Sequence, residues 1–384
     1  MRQRVKLKKE LARSIRRGHP WVYRDALAPA DGIADGALVE VLGKDERRLA
    51  TGFWDARSPI AVRVLSLEPV ADVAALVRER LALALDKRLA KLDRAQTNAF
   101  RWVHGEPDAL PGVHIDLYDD VAAVRFDGAG ARAFYGELYA WLQETAAVSV
   151  RAVVDRETRS AGLSELSAVE VRENGIAFRV DLTQAQKGGL FLDQRENRAE
   201  VGRRAAGQRV LNLFGYTGGF SLYAAAGGAR RTDTVDRAKP AIEAARANFM
   251  LNRLPADAKH AGFHAEDAFE FLSGAVTRNE RWDLVICDPP SFAKSRAALP
   301  EAQRAYRRLF GLAARVVAPG GTFCPASCSS QLSQKDFLLA VGDAVRSIGR
   351  RFELEFVRGA GFDHPVIPAF PEGDYLKFAL GVVR

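Results

Sequence analysis

Three cysteines in 384 residues, all of them after position 286, leave this chain without material for a disulfide framework. Their spacing offers no paired metal-binding motif either, so no metal site is expected. No uninterrupted apolar stretch approaches the ~18 residues that a membrane helix needs, and the N-terminal end is too basic and too broken for the apolar region of a signal peptide. A soluble, cytoplasmic protein is the expectation. Internal repeats and low-complexity tracts are missing too, which excludes solenoids and arrays. Negative charge is in deficit: 48 acidic residues against 56 basic ones give a net charge of +8. Such a balance favours a polyanionic partner.

Nearly half of the residues, 48%, are hydrophobic. That is ample for real cores, and the length suggests two or three domains. The surplus positive charge concentrates at one end, where Arg2, Arg4, Lys6, Lys8, Lys9, Arg13, Arg16, Arg17 and Arg24 lie beside Trp21 and Tyr23. Basic and aromatic residues interleaved in this way suit phosphates and unstacked bases, which makes Arg16, Arg17 and Trp21 candidate RNA contacts. A solvated basic arm is the alternative. Up to about Leu67, GALVEVLG, RRLATGFWD and IAVRVLSL alternate apolar and polar residues at period two, as short strands of a small barrel do. From Ala71 to Arg94 apolar residues recur every three or four positions, which predicts a long amphipathic helix. Alternation resumes in FRWVHGEPDALPGVHIDLYDDVAAVRF, and ARAFYGELYAWLQETA returns to helix. The middle region therefore reads as α+β, with His104 and His114 as ordinary strand residues.

The stretch from Arg209 to Gly228, RVLNLFGYTGGFSLYAAAGG, organises the rest. An apolar strand turns through Gly215, Tyr216, Thr217, Gly218 and Gly219 and continues at helical spacing. Such a turn lets backbone N–H groups approach a ligand, and the helix start favours an anionic group. The glycines read G-x-x-G-G and not the G-x-G-x-x-G of a dinucleotide site. About twenty residues on, RRTDTVD ends in Asp236, an acceptor placed for a ribose diol. Together the two features suggest a nucleoside-bearing cofactor. Strands and helices alternate from Val210 onward: TDTVD, a helix from Pro240 to Leu251, KHAGFHAED, WDLVICDPPSF, a helix from about Glu301 to Ala318, TFCPA, and a helix capped by Ser333 and Asp336. This implies an α/β fold, a parallel-rich sheet covered on both faces with the ligand at the carboxyl ends of its strands. The last strands, FELEFV and YLKFALGVV, flank the long loop GAGFDHPVIPAFPEGD.

The glycine turn, the acid at Asp236 and the D-P-P-S-F run from Asp288 to Phe292 resemble the class I S-adenosylmethionine-dependent methyltransferases. With TFCPASCSS, which puts Cys328 just past a strand, the chain is similar over nearly its whole length to the bacterial large-subunit (23S) ribosomal RNA cytosine-C5 methyltransferases that carry an N-terminal PUA domain. The resemblance implies a PUA-like RNA-binding barrel over residues 1–68, an α+β central domain forming a substrate-binding arm over 69–185, and a Rossmann-like methyltransferase domain with C-terminal antiparallel strands over 186–384. It implies S-adenosylmethionine as cofactor, held by Asn212, Phe214, Gly215, Tyr216, Thr217, Gly218, Asp236, Asp267, Asp288, Gln194 and Arg195, and RNA as partner, met by Arg195, Asn197, Pro289, Pro290, Phe292 and Lys294. The segment Gln186 to Arg198 matches the family stretch that lines the cofactor pocket, where Asp193 is also transferable. The chain departs from the family at Ala185, Gly188, Ser291, Ser330 and Gln331. Nothing in the sequence argues against a homodimer.

Cytosine C5 is too weak a nucleophile to take a methyl group unaided, and a thiolate added to C6 makes it enamine-like. Cys328, past a strand end on the ligand side, is the candidate nucleophile; Cys287 and Cys324 fall inside apolar strands and read as small core residues. Asp288 is suited to accept from the cytosine N4 amine and a protonated N3. The D-P-P tip also resembles that of adenine-N6 methyltransferases, which need no cysteine. A non-catalytic RNA-binding protein that kept the cofactor pocket is a further reading.

Overall fold

The first sheet alternates buried and half-buried residues along Leu38–Leu42, as the pleat requires, and buries nearly all of Arg48–Trp54. The strands are β1 (Gln3–Lys6), β2 (Trp21–Tyr23), β3 (Leu38–Leu42), β4 (Arg48–Trp54) and β5 (Ile60–Ser66), with the short helix α1 (Ala12–Arg16) inserted. They run in the order β1-β3-β4-β5-β2, and a bridge between Leu7 and Leu27 brings the two edges together in a nearly closed barrel. Its core is Val5, Ile15, Val22, Val39, Val41 and Val62. The computed structural model describes residues 3–157, 166, 168–183, 190–293 and 295–384.

The expected long helix is α2 (Val73–Leu89), shorter than predicted at both ends. Asp72 starts it by accepting from the Ala75 N–H at 2.9 Å. A second sheet follows, in the order β6 (Ala99–His104), β7 (Val113–Tyr118), β8 (Val121–Phe126) and β9 (Ala152–Asp155). The single helix expected over 131–146 is two, α3 (Ala129–Phe134) and α4 (Leu138–Gln143). Between them the buried Tyr135 commits its hydroxyl to the Pro111 carbonyl at 3.2 Å, and Gly136 follows.

The hairpin β10 (Val169–Glu173) and β11 (Ile176–Val180) turns at Asn174 and Gly175, both at positive φ, as an Asn-Gly hairpin turn demands. Then come α5 (Arg195–Arg204), β12 (Arg209–Leu213), α6 (Gly219–Ala226), β13 (Arg231–Asp236), α7 (Lys239–Leu251), β14 (Ala261–Ala265), α8 (Ala268–Thr277), β15 (Trp282–Cys287), α9 (Leu299–Arg315), β16 (Val317–Ser327), α10 (Gln334–Arg346), β17 (Phe352–Arg358) and β18 (Lys377–Val383). The seven strands β12 to β18 order as β14-β13-β12-β15-β16-β18-β17. All neighbours from β14 to β16 are parallel; β18 and β17 close the edge antiparallel. Strand order reverses between β12 and β15, the position at which open α/β sheets bind ligands. Helix α9 ends earlier than expected, because Val317 already pairs with Trp282 in the sheet. One face buries Leu211, Val285, Phe310, Phe323 and Phe337 among others, each contributing about 1.5–3 kcal/mol.

The chain forms two units, one of Met1–Val169, Asp181–Gln186 and Phe362–Gly373, the other of Glu170–Val180, Lys187–Gly361 and Asp374–Arg384. Residues 170–180, read from sequence as part of the central domain, pack in the second unit. Arg198 there makes a buried bidentate pair with Glu173 (2.8 and 2.6 Å), and Asn248 and Asn252 accept from the backbone N–H groups of Arg179 and Ala177.

Candidate active site

Register aligns four strand tips. Leu213 at the end of β12 pairs with Val235 on one side and Cys287 on the other, and Cys287 pairs in turn with Pro325. The residues that follow are therefore neighbours along one edge: Asp236, the turn at Phe214 to Gly219, Asp288, and Cys328 a few residues past Pro325. Sequence reading separated these residues by up to about a hundred positions, and the parallel sheet collects them.

The turn is strained and tightly backed. Phe214 and Tyr216 adopt φ of 57° and 48°, a left-handed backbone that costs about 1–2 kcal/mol per residue. A Cβ on Gly215 would lie 2.5 Å from the Thr234 side chain, and one on Gly218, at φ 83°, 2.9 Å from Ala245. Only glycine fits at both. Beneath the turn the buried Asn212 donates to the Ser221 hydroxyl at 3.0 Å, so Asn212 supports the turn from within the sheet. Thr217 is buried with its carbonyl accepting from Asn248 at 3.2 Å. The Tyr216 N–H donates to one Asp236 oxygen at 3.0 Å and the Ala238 N–H to the other at 2.9 Å. That fixes a half-buried carboxylate beside the turn. Asp267 is the N-cap of α8, accepting from the Phe269 and Glu270 N–H groups at 2.8 and 3.4 Å.

The start of α5 forms one wall. Gln194 donates to Asp288 at 2.8 Å and accepts from Asn197 at 2.7 Å. Gln194, Arg195 and Asn197 are all buried, with the Arg195 guanidinium 3.0 Å from Glu196. Both residues expected to meet RNA, Arg195 and Asn197, thus lie in this wall, Asn197 bracing the Gln194 that holds Asp288. Asp193 ties together both stems of the loop between β17 and β18. Its carbonyl accepts from the Gly361 N–H at 3.0 Å and its carboxylate from the Tyr375 hydroxyl at 2.7 Å.

Pro289 is buried and Pro290 exposed, while Phe292 packs on the core with its ring 4.8 Å from Tyr306. Lys294 lies outside the described residues, as do Ala185 and Gly188. The Cys328 S–H is directed at the Pro289 carbonyl at 4.0 Å, which places the thiol over the D-P-P tip. Burial, with the Asp288 and Asp193 carboxylates nearby, pushes the Cys328 thiol up to about 12. Cys287 and Cys324 are wholly buried in their strands, as expected, and burial raises both thiols. Tyr306 donates or accepts at the Ser327 hydroxyl, 2.9 Å away, and the buried Lys377 donates to the Ser329 carbonyl at 2.9 Å. Sequence reading missed Lys377, Asp193's bridging role and Tyr375. The one signal for Lys377 was a single charge at the head of the apolar strand KFALGVV.

In the first unit, Arg16 and Arg17 are exposed and have no carboxylate partner among the described residues, whereas Arg4, Lys6 and Lys9 are paired with Glu40, Glu46 and Asp25. Trp21, expected to meet RNA, is half-buried and held in place within this unit. Its indole N–H donates to Glu106 at 2.7 Å and its ring meets Phe370 edge-on at 4.6 Å. Glu106, His114 and Asp127 come close enough to hold an ion, but Arg63 and Arg125 already neutralise them.

A protein-family profile described as S-adenosylmethionine-dependent methyltransferase matches residues 149–362, and one described as a PUA-like domain matches residues 5–67. The chain is 35% identical to the ribosomal RNA large subunit methyltransferase I of Aeromonas salmonicida, with 97% of each chain covered. Against the proteins of that name from Alteromonas mediterranea and Shewanella amazonensis the identity is 36%. The chain belongs to this family. It is an S-adenosylmethionine-dependent methyltransferase with an N-terminal PUA-like domain. Its fold is also that of a Streptococcus mutans protein assigned to the same class, with a TM-score of 0.86 at 23% identity over 99% of this chain and all of that one. No helix among the described residues is long and apolar enough to cross a membrane.

The turn fits the cofactor that the family implies. The turn holds two non-glycine residues, Phe214 and Tyr216, in a left-handed backbone, and Asp236 keeps a fixed carboxylate, an acceptor suited to a diol, on the same edge.

Proposed function

We propose that this enzyme methylates C5 of a cytosine in large-subunit ribosomal RNA, with Cys328 as nucleophile and Asp288 as the group that holds the base. The relatives are named for the large-subunit ribosomal RNA. The observation that carries the cytosine reading is the thiol at the tip of β16, directed at the carbonyl of Pro289 immediately after Asp288. An adenine-N6 enzyme has no use for a thiol there.

S-adenosylmethionine, held by the Gly215–Gly219 turn and Asp236, supplies the electrophilic methyl group. The chain's own residues do the rest. Gln194, braced by Asn197, fixes one Asp288 oxygen, and the carboxylate accepts from the cytosine N4 amine and a protonated N3. Cys328 as thiolate adds to C6, forming the S–C bond while the electron pair moves toward the C4–N3 side of the ring, which Asp288 stabilises; C5 becomes nucleophilic. Once C5 carries the methyl group its proton passes to water, the C5–C6 double bond re-forms and the S–C bond breaks, releasing Cys328 as thiolate. In the free enzyme the thiol is protonated near neutral pH, and a base that engages Asp288 weakens one of the two negative fields holding it so. Residues 1–68 serve as the RNA-binding barrel, 69–185 as the substrate arm and 186–384 as the catalytic domain, and exposed Arg16 and Arg17 contact phosphate. The protein works in the cytoplasm and needs no metal.

Incubation with labelled S-adenosylmethionine and ribosomal RNA, followed by digestion to nucleosides, tests the reading. Label in 5-methylcytidine is expected; label in N6-methyladenosine, or in no nucleoside, would overturn it.

A further inference from the structure

Lys377 opens β18 directly opposite Ser327, the last residue of β16 and the neighbour of Cys328. Its side chain crosses the turn: Nζ donates to the carbonyls of Ser329 (2.9 Å), Tyr375 (3.1 Å) and Asp374 (3.3 Å). Cys328 is therefore bracketed by two residues in register or hydrogen-bond contact with one lysine. Three carbonyls use all three ammonium protons, yet no carboxylate lies within ion-pair distance of Nζ among the described residues, although Lys377 is 4% exposed. A buried charge with no opposite charge is costly, and proteins rarely keep one without a use for it. The other buried cations among the described residues of this unit, Arg198 and Arg195, have Glu173 and Glu196 beside them.

We propose that the buried Lys377 ammonium is the counter-charge for the Cys328 thiolate, so that it promotes ionisation of the nucleophile by its charge while bracing the turn that carries it. This rests on the reading of Cys328 as nucleophile. The titratable groups facing the pair among the described residues are Asp288, Asp193, Asp374 and the neutral Tyr306. The first two disfavour the thiolate, Tyr306 approaches through Ser327, and Asp374 competes with the thiolate for the ammonium. Cys328 lies close enough to Lys377 for its thiolate to help hold the ammonium protonated, as Asp374 also does. In the resting protein Lys377 is a cation that burial works against. Ionisation of Cys328 relieves it. Lys377 is thus a positioning residue, acting on the substrate only through the sulfur.

Alkylation of Cys328 by iodoacetamide reads the thiolate without requiring methyl transfer: an S–C bond forms, iodide leaves and the proton passes to solvent. Its rate is followed between pH 7 and 9.5 on the full chain, with the site assigned by peptide mass spectrometry. Lys377→Gln keeps two donors for the carbonyls and removes the charge; Lys377→Arg keeps both. The proposal expects Lys377→Gln to slow alkylation about tenfold or more at every pH, the effect of a one-unit rise in the thiol, and Lys377→Arg to stay within about threefold of wild type. A purely structural brace gives the opposite sign, since loosening the turn exposes the sulfur and speeds the reaction. A Lys377→Gln rate equal to or above wild type, or an Arg variant as slow as Gln, would overturn the proposal. If neither Lys377 variant binds S-adenosylmethionine, the exposed Asp374→Asn decides: it should speed alkylation about twofold at low salt, less at high salt, and an unchanged rate counts against the charge link. The Proposed function fails separately, by an active Cys328→Ala enzyme.

Discussion

Two polar clusters of this chain handle charge differently. In the first unit Arg63, Arg88 and Arg101 sit against Glu106, Asp108 and Asp116, and His114 against Asp127. Arg88 and Asp108 meet through two parallel bonds of 2.7 Å at 2% and 1% exposure. Asp363 extends the network, accepting from the Arg101 N–H at 2.9 Å, and His364 packs its ring 5.0 Å from His104. At the strand tips of the second unit the carboxylates of Asp288 and Asp193 face a thiol, and Lys377 donates to three carbonyls. Carboxylates paired with buried guanidinium groups hold a structure together, whereas carboxylates set beside a thiol shift its titration, as functional sites do.

Substitutions can break this contrast, and the largest effect belongs to the thiol. Cys328→Ala should abolish methyl transfer while S-adenosylmethionine and RNA bind within a few-fold, because the lost interaction forms only during reaction. Steady-state rates with separate binding titrations check this. Asp108→Ala leaves a buried guanidinium without its partner and should cost about 3–5 kcal/mol of stability by urea unfolding. A loss below about 1 kcal/mol would place the pair outside the structural class. Asp236→Ala removes an acceptor and frees the Tyr216 and Ala238 N–H groups. Calorimetry should then show S-adenosylmethionine binding weaker by about ten- to a hundredfold, the ~1.5–3 kcal/mol of charged hydrogen bonds. The smallest effect is at the basic end. Arg16→Ala with Arg17→Ala should weaken RNA binding several-fold and flatten the log–log salt dependence by about 0.7–0.9 per lost contact, and an unchanged slope would assign phosphate contact elsewhere.

What could be read from the sequence was what lies close in the chain. The strand, turn and helix around Gly215–Gly219, the rigid tip at Asp288–Pro290, the cap at Ser333 with its 3.1 Å bond from the Asp336 N–H, and the two core cysteines all follow from neighbours a few residues apart. Partners distant in sequence were not legible. Nothing near Trp21 in the chain signals that Glu106, 85 residues on, accepts from its indole N–H. Lys377 reaches the turn at Cys328 only because β18 runs antiparallel to β16 with Ser327 opposite it, a register that no local pattern encodes. The same holds for the hairpin at 170–180, which Glu173 draws to Arg198.

The covalent step itself gives the most direct test. Because fluorine at C5 cannot leave as a proton, RNA carrying 5-fluorocytidine at the target should trap the enzyme as an adduct that survives denaturing electrophoresis when S-adenosylmethionine is present. Wild type, Cys287→Ala and Cys324→Ala should form it, and Cys328→Ala should not. An adduct that persists in Cys328→Ala, or none in wild type on RNA that it otherwise methylates, would contradict the account.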